Sequence, residues 1–403
     1  MKPLIRPHII EQQHGFLSKK STETNLCEFI DFITNAMDDR CQVDVVYTDY
    51  SKAFDRIHHD ILVSKLYHFG IHGDLLRWVD SYLRDRCQAV TVKGFSSTFT
   101  PVPSGVPQGS HLGPLLFNIF VNDVGEIFKN TDFSLYADDQ KIYKIVKTLD
   151  DCLLLQEDLE KLSIYCKANQ LYLNTDKCNI ITYSRKKNIH YDYSINDKVL
   201  QRVTLKKDLG IYLDSKLMFD SHITEVVNKA YKMLGFILRV SQDFKSISTV
   251  QLLYNCFVRS HLEYASVVWN PHYKIYIERL ERIQEKFLKN LEYRFNYKKL
   301  PQLPRIMSLA NRREIRDQVF LFKIVNNLID SSYLLSRLSF RCPRVNSREK
   351  KVFQPSTSKT NYGSNTFVRR ASNIHNMQFS DIDMFFISMN SFKRYIIESL
   401  CGN

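Results

Sequence analysis

A mixed α+β fold is predicted, with a sheet-bearing first half and a helical second half. Three observations carry it. Short runs of aromatic and β-branched residues flank the acidic stretch Phe133-Ser134-Leu135-Tyr136-Ala137-Asp138-Asp139-Gln140-Lys141-Ile142-Tyr143, as the two strands of a hairpin would. Helical periodicity recurs between the strand-like runs as far as residue 214. From Phe219 onward the pattern becomes long and helical, with few turn signals. At 403 residues the chain is long enough for two or more lobes.

The elements follow in order. His14 to Thr24 reads HGFLSKKSTET, a glycine turn followed by Lys19, Lys20 and a hydroxyl cluster. A helix comes next, capped near Ser21 or Thr22 and running through Leu26, Phe29, Ile30 and Ile33. Two lysines ahead of a helix start suit a phosphate group, or they are solvated loop charges; the residues alone leave both open. Val43 to Asp49 is an apolar strand ending in a carboxylate, and Asp55 is placed to cap the helix after it. Asp60 to Phe69 and Gly73 to Arg84 carry helical core patterns, and Cys87 to Lys93 with Ser96 to Pro101 reads as a strand pair turned at Gly94.

Proline and glycine punctuate residues 103–110 (PSGVPQGS) too densely for a regular element. The loop leads into an amphipathic helix with Leu112, Leu115, Leu116, Ile119, Phe120 and Val124 on its buried stripe. Small residues there let backbone approach a flat ligand, and Gln108 can position a base or sugar; an ordinary turn is the alternative. Leu149 to Ala168 is helical and Cys178 to Tyr183 a strand. Lys206 to Leu213 is a turn and a short strand, and Ile275 to Leu291 a basic helix able to follow a duplex backbone. Arg341 to Arg370 has little periodicity and reads as a basic linker, and Ser380 to Leu400 is again helical.

The chemistry lies in the acids. Two adjacent carboxylates at a tight turn repel and give up hydration, an arrangement that a divalent cation makes favourable. A solvated Asp-Asp turn is the plainer alternative. Asp49, at a strand end, is placed to meet Asp138, and three such carboxylates suit a hard cation such as Mg²⁺.

Composition narrows the class. The chain is 44% hydrophobic and 25% charged, as in a globular protein. A net charge of +13 points to a polyanionic partner. No apolar run approaches the ~20 residues that span a bilayer, and the N-terminus lacks the apolar core of a secretory signal. Nine scattered cysteines without Cys-x-x-Cys spacing fit reduced thiols in an intracellular protein of nucleus or cytoplasm.

Six stretches, in order, resemble one family: QHGFLSKKSTET, YTDYSKAFDRIHH, SGVPQGSHLGPLLFNIFVND, LYADD, ANQLYLNTDKC and LGIYLD. They are similar to the reverse transcriptases of non-LTR (LINE-type) retrotransposons, within them the jockey-like insect group. The resemblance covers about Gln13 to Asp214, and HLEYASVVWNP resembles the family's thumb. It implies a right-hand polymerase: partial fingers over 1–42, palm over 43–214, a helical thumb over 215–300, and a C-terminal helical region over 301–403 with the basic linker at 341–370. Such an enzyme is an RNA-directed DNA polymerase, with RNA template, DNA primer or target and dNTPs as partners, and two Mg²⁺ ions for which Mn²⁺ substitutes.

By the same resemblance Asp49, Asp138 and Asp139 form the metal triad, and Phe54 is the gate against ribonucleotides. Gln108 and Gly109 lie beside nucleotide and template, and Lys19 or Lys20 stands where the family often has arginine near the triphosphate. Lys177 is the proton donor to pyrophosphate, and Leu209 and Gly210 belong to the primer grip. Relatives carry an upstream endonuclease and longer fingers, so the chain reads as N-terminally truncated. The alternative to an active polymerase is a catalytically inactive nucleic-acid-binding remnant.

Overall fold

The strand Gln42–Thr48 (β1) is buried along its whole length. That is why it reads as an almost unbroken apolar run. Its one charge, Asp44, accepts hydrogen bonds from Gln42 Nε2 (2.9 Å), Thr182 Oγ1 (2.7 Å) and Tyr193 Oη (2.9 Å). These donors offset the cost of burying a carboxylate. The structure is a computed structural model and describes residues 5–186, 188–296, 306–341, 351–354 and 357–401.

Four two-residue strands follow β1: Cys87–Gln88 (β2), Thr91–Val92 (β3), Phe95–Ser96 (β4) and Thr100–Pro101 (β5). β2 pairs with β5 and β3 with β4, around the turn at Lys93 and Gly94. The acidic hairpin is Asp132–Tyr136 (β6) and Asp139–Val146 (β7). After it come Asn179–Tyr183 (β8), the small pair Ser194–Ile195 (β9) and Lys198–Val199 (β10), and Gln201–Val203 (β11). The main sheet runs β11-β8-β1-β7-β6, antiparallel except where β11 joins β8.

Helices His59–His68, Gly73–Leu83, Gly113–Phe120 and Leu149–Ala168 share one core with the sheet, through Leu62, Val79, Leu116 and Leu159 against Val46 and Ile142. The last of these helices starts where Thr148 and Asp151 form a reciprocal capping box. Gly113–Phe120 departs from the expected amphipathic pattern: Leu115 to Phe120 are all buried, and the chain tightens into a 3₁₀ turn at Asn122–Glu126.

The chain divides into two compact units, Met1–Asn25 with Arg40–Thr204, and Leu26–Asp39 with Leu205–Asn403. The second opens on a hairpin, Leu205–Asp208 (β12) and Ile211–Asp214 (β13), where a turn and one strand were expected. Its helices include Asp220–Val240, Ile247–Tyr254, Lys274–Phe295 and Leu309–Val325. Tyr254 stacks on Phe287 at 4.0 Å, so the basic helix Lys274–Phe295 is also a core helix.

Two expectations for this unit need correction. Residues 342–350 and 355–356 of the basic linker lie outside the described residues, but its later part is not a loop. Asn361–Ser364 and Phe367–Gln378 are helical, and Arg369 and Arg370 form ion pairs with Asp38 (3.2 Å) and Asp317 (2.8 Å). Phe367–Gln378 buries a stripe at Phe367, Ala371 and His375 that runs past the end of the expected linker, and the two ion pairs add distant partners to it. The last helix begins at Met389, not Ser380. No helix among the described residues is long and apolar enough to cross a membrane.

Burial holds the imidazoles of His222 and His375 down to about 4. Unfolded histidine takes up its proton near pH 6.5. The unfolded chain therefore binds protons that the folded one refuses, and stability is lost as pH falls from about 6.5 to about 4. The melting temperature is expected to drop over that interval, and less steeply in His375→Gln. Equal slopes for parent and variant would contradict this assignment.

Candidate active site

The acidic turn is two residues long. Tyr136 pairs with Asp139, leaving Ala137 and Asp138 at the tip. Ala137 has φ +57°, a left-handed conformation that costs an L-residue about 1–2 kcal/mol. Across β1, Thr48 pairs with Gln140, so Asp49 leaves the sheet beside the start of β7. Its backbone is fixed by the loop after the long helix: Asn174 N–H donates to Asp49 O (2.7 Å) and Ser51 N–H to Tyr172 O (2.8 Å).

Burial pushes the Asp138 carboxyl above the usual carboxylate range, and the charge of Asp49 pushes it further. The two acids thus share one field. Lys177 Nζ lies 3.5 Å from Asp49 Oδ2. Asp139 is exposed, and among the described residues no three His, Cys, Asp or Glu side chains form a ready-made metal group. Burial is the main cause of the raised Asp138, and the repulsion between carboxylates gathered without a cation adds to it. The donor set, two interacting carboxylates with a third next in sequence, has the chemistry of a hard divalent cation site.

The loop at 103–110 is bonded to the segment after Asp49. Gly105 N–H donates to Ile57 O (2.8 Å) and Val106 N–H to Phe54 O (2.9 Å). A Cβ on Gly105 would stand 2.6 Å from Asp55 O, and its φ is +80°, so glycine is required. Gln108 Nε2 donates to Asp55 Oδ1 (2.8 Å). Asp55 therefore holds this loop instead of capping the helix His59–His68, whose N-cap His58 makes no side-chain bond. Gly109 has φ +78° and open space where a side chain would be. Phe54 stacks on Phe117 (4.5 Å) and meets the exposed Phe16 edge-on at 6.3 Å.

The remaining expected residues are placed differently. Lys20 donates to the carbonyl of Glu11, and Lys19 is exposed with φ +66°. Leu209 and Gly210 lie in the second unit, at the β12–β13 turn with φ +43° and +89°. There Tyr264 Oη donates to Leu209 O (3.0 Å). Sequence spacing gives no sign of Tyr50 and Gln140, which lock the strands beside the acids: Tyr50 Oη donates to Gln140 Oε1 at 2.8 Å. Gln13 opens the stretch QHGFLSKKSTET, and nothing in its spacing gives it a role of its own.

Acids at a strand end and at the neighbouring hairpin turn of an antiparallel sheet are the layout of a nucleic-acid polymerase palm. Residues 1–238 match the model of the reverse transcriptase (RNA-dependent DNA polymerase) family, and the chain belongs to that family. It is similar to the RNA-directed DNA polymerase from mobile element jockey of Drosophila melanogaster, 27% identical over 291 residues, which cover 69% of this chain and 31% of that protein. A probable RNA-directed DNA polymerase from transposon X-element of the same fly is 25% identical over 289 residues, 68% of this chain and 31% of that one. The chain thus spans about a third of the length of these relatives. The resemblance drawn from the six stretches is borne out. Among solved structures, apo telomerase from Candida tropicalis has a TM-score of 0.42 at 10% identity, over 98% of this chain and 58% of that one.

Proposed function

We propose that this chain is the core of an RNA-directed DNA polymerase, extending a DNA primer with dNTPs along an RNA template. The observation that carries the reading is the pairing of Thr48 with Gln140, which brings Asp49 at the end of β1 beside the β6–β7 turn that bears Asp138, with Lys177 3.5 Å from Asp49. Asp49, Asp138 and Asp139 would hold two Mg²⁺ ions, or Mn²⁺ in their place. When bound, such ions stabilise the charge on attacking and departing oxygens.

The chain's own residues position the reactants. The primer 3′-hydroxyl releases its proton to water as its oxygen bonds to the α-phosphorus. The bond from that phosphorus to the bridging oxygen breaks, and pyrophosphate leaves with a proton from the exposed ammonium of Lys177, which regains one from solvent. Phe54, backed by Phe117, forms a flat wall against which a 2′-hydroxyl would collide. Gly109 leaves room for nucleotide and template beside Gln108, which Asp55 orients. Lys19 and Lys20 serve the triphosphate. Leu209 and Gly210 support the primer. The net charge of +13 holds the hybrid with little sequence preference and with strong salt dependence.

The test is primer extension on an RNA template by the purified chain. Incorporation that requires Mg²⁺ or Mn²⁺ is expected. A chain that binds the hybrid but never adds a nucleotide would be a nucleic-acid-binding remnant instead. Phe54→Ala is expected to raise ribonucleotide use relative to dNTPs by roughly ten- to a hundredfold. Unchanged sugar discrimination would remove Phe54 from that role.

A further inference from the structure

We propose that Gln13 is a positioning residue for the acidic turn, its carboxamide holding Ala137 in the conformation that sets Asp138 against Asp49. The inference rests on the reading of those acids as a cation site.

Gln13 is 1% exposed, although it lies in a segment without regular structure. Its side chain brackets a single residue. Oε1 accepts from Ala137 N–H at 2.8 Å, and Nε2 donates to Ala137 O at 3.4 Å. The same Oε1 also accepts from Gly15 N–H at 2.7 Å, which fixes the amide's orientation. Donor and acceptor on one planar group match the two backbone groups of one residue, and neither a carboxylate nor an apolar side chain supplies both.

The segment is itself docked on β6, the edge of the main sheet. Leu135 N–H donates to Gln12 O (3.0 Å) and His14 N–H to Leu135 O (2.9 Å). Asn25 Nδ2 donates to Leu135 O (3.0 Å) and Asn118 Nδ2 to Gly15 O (2.8 Å), tying two helices to the same place. Close approach is built in at Gly15, where a Cβ would stand 2.3 Å from Ala137 N. These contacts converge on the one turn residue whose left-handed φ an alanine does not adopt unaided. Asp138 is the next residue, so the direction of its carboxylate follows from how Ala137 is held.

The experiment compares the parent with Gln13→Met, which keeps the volume and removes all three hydrogen bonds of the carboxamide. Mn²⁺ binding is read by water-proton relaxation, which needs no turnover. The variant is expected to bind Mn²⁺ at least tenfold more weakly, with template-primer affinity within twofold of the parent. Adding Ala137→Gly, which tolerates the left-handed conformation without support, is expected to recover at least a third of the lost affinity on a logarithmic scale. Equal Mn²⁺ affinity in parent and Gln13→Met overturns the proposal alone. Weaker binding with no recovery, accompanied by an equal loss of template-primer affinity, also overturns it and leaves Gln13 a structural residue. A parent that binds no Mn²⁺ at all overturns both this inference and the reading of the acids.

Discussion

Asp138→Asn is expected to lower primer extension by roughly a thousandfold or more, in Mg²⁺ and in Mn²⁺ alike. The substitution keeps the size of the side chain and removes its charge, so the partner proposed for Asp49 in holding a cation is lost while the turn remains. Template-primer binding is expected to stay within about twofold, because every Lys and Arg remains in place and only one negative charge is lost. The metal-free variant is also expected to melt no lower than the parent. In the parent, burial and Asp49 both disfavour the charge on Asp138, and asparagine removes that conflict. Loss of activity without loss of stability is the signature of a residue kept for chemistry. A variant retaining a tenth of parental extension would show that the polymerising site lies elsewhere.

Asp317→Ala is expected to have the opposite signature, costing about 3–5 kcal/mol of stability in the second unit. Asp317 is fully buried and grips Arg370 with both oxygens, Oδ2 to Nε at 2.8 Å and Oδ1 to Nη2 at 3.1 Å. Asn270 Nδ2 adds a third bond to Oδ2 at 2.8 Å. Alanine would leave the guanidinium of Arg370, only 9% exposed, without its counter-charge. The melting temperature is expected to fall by roughly 10 °C. Asp74→Ala, which breaks the exposed pair with Arg77, is the control and is expected to change stability by less than about 0.5 kcal/mol. Similar effects for the two variants would mean that the buried pair contributes nothing special.

Arg370 also shows where sequence reading stopped. Within Arg341 to Arg370 the mixture of Arg, Lys, Ser, Asn and Pro has no helical stripe, so a basic linker was expected. The helix Phe367–Gln378 overlaps that window only over 367–370, its buried stripe continues beyond it through Ala371 and His375, and Arg370 is tied to Asp317, 53 residues earlier. For Lys20 the residues leave a phosphate contact and a solvated loop charge both open, and the fold adds a bond to the carbonyl of Glu11 that neither reading contains. For Asp55 a local cap was expected, and the fold gives its carboxylate to Gln108, 53 residues away.

Taken by itself, the sequence determined what neighbours along a chain can encode: the apolar run of β1, the acidic hairpin and the helix after it, together with the family that six ordered stretches resemble. The elements follow from side-chain periodicity and turn chemistry, which act over a few residues, and the family from the stretches themselves. Only the tertiary structure decided which polar groups are withdrawn from water and which partners receive them, as Gln13 does for Ala137 across 124 residues. A buried donor must be paired wherever its partner lies in the chain, and no local pattern records a partner that distant.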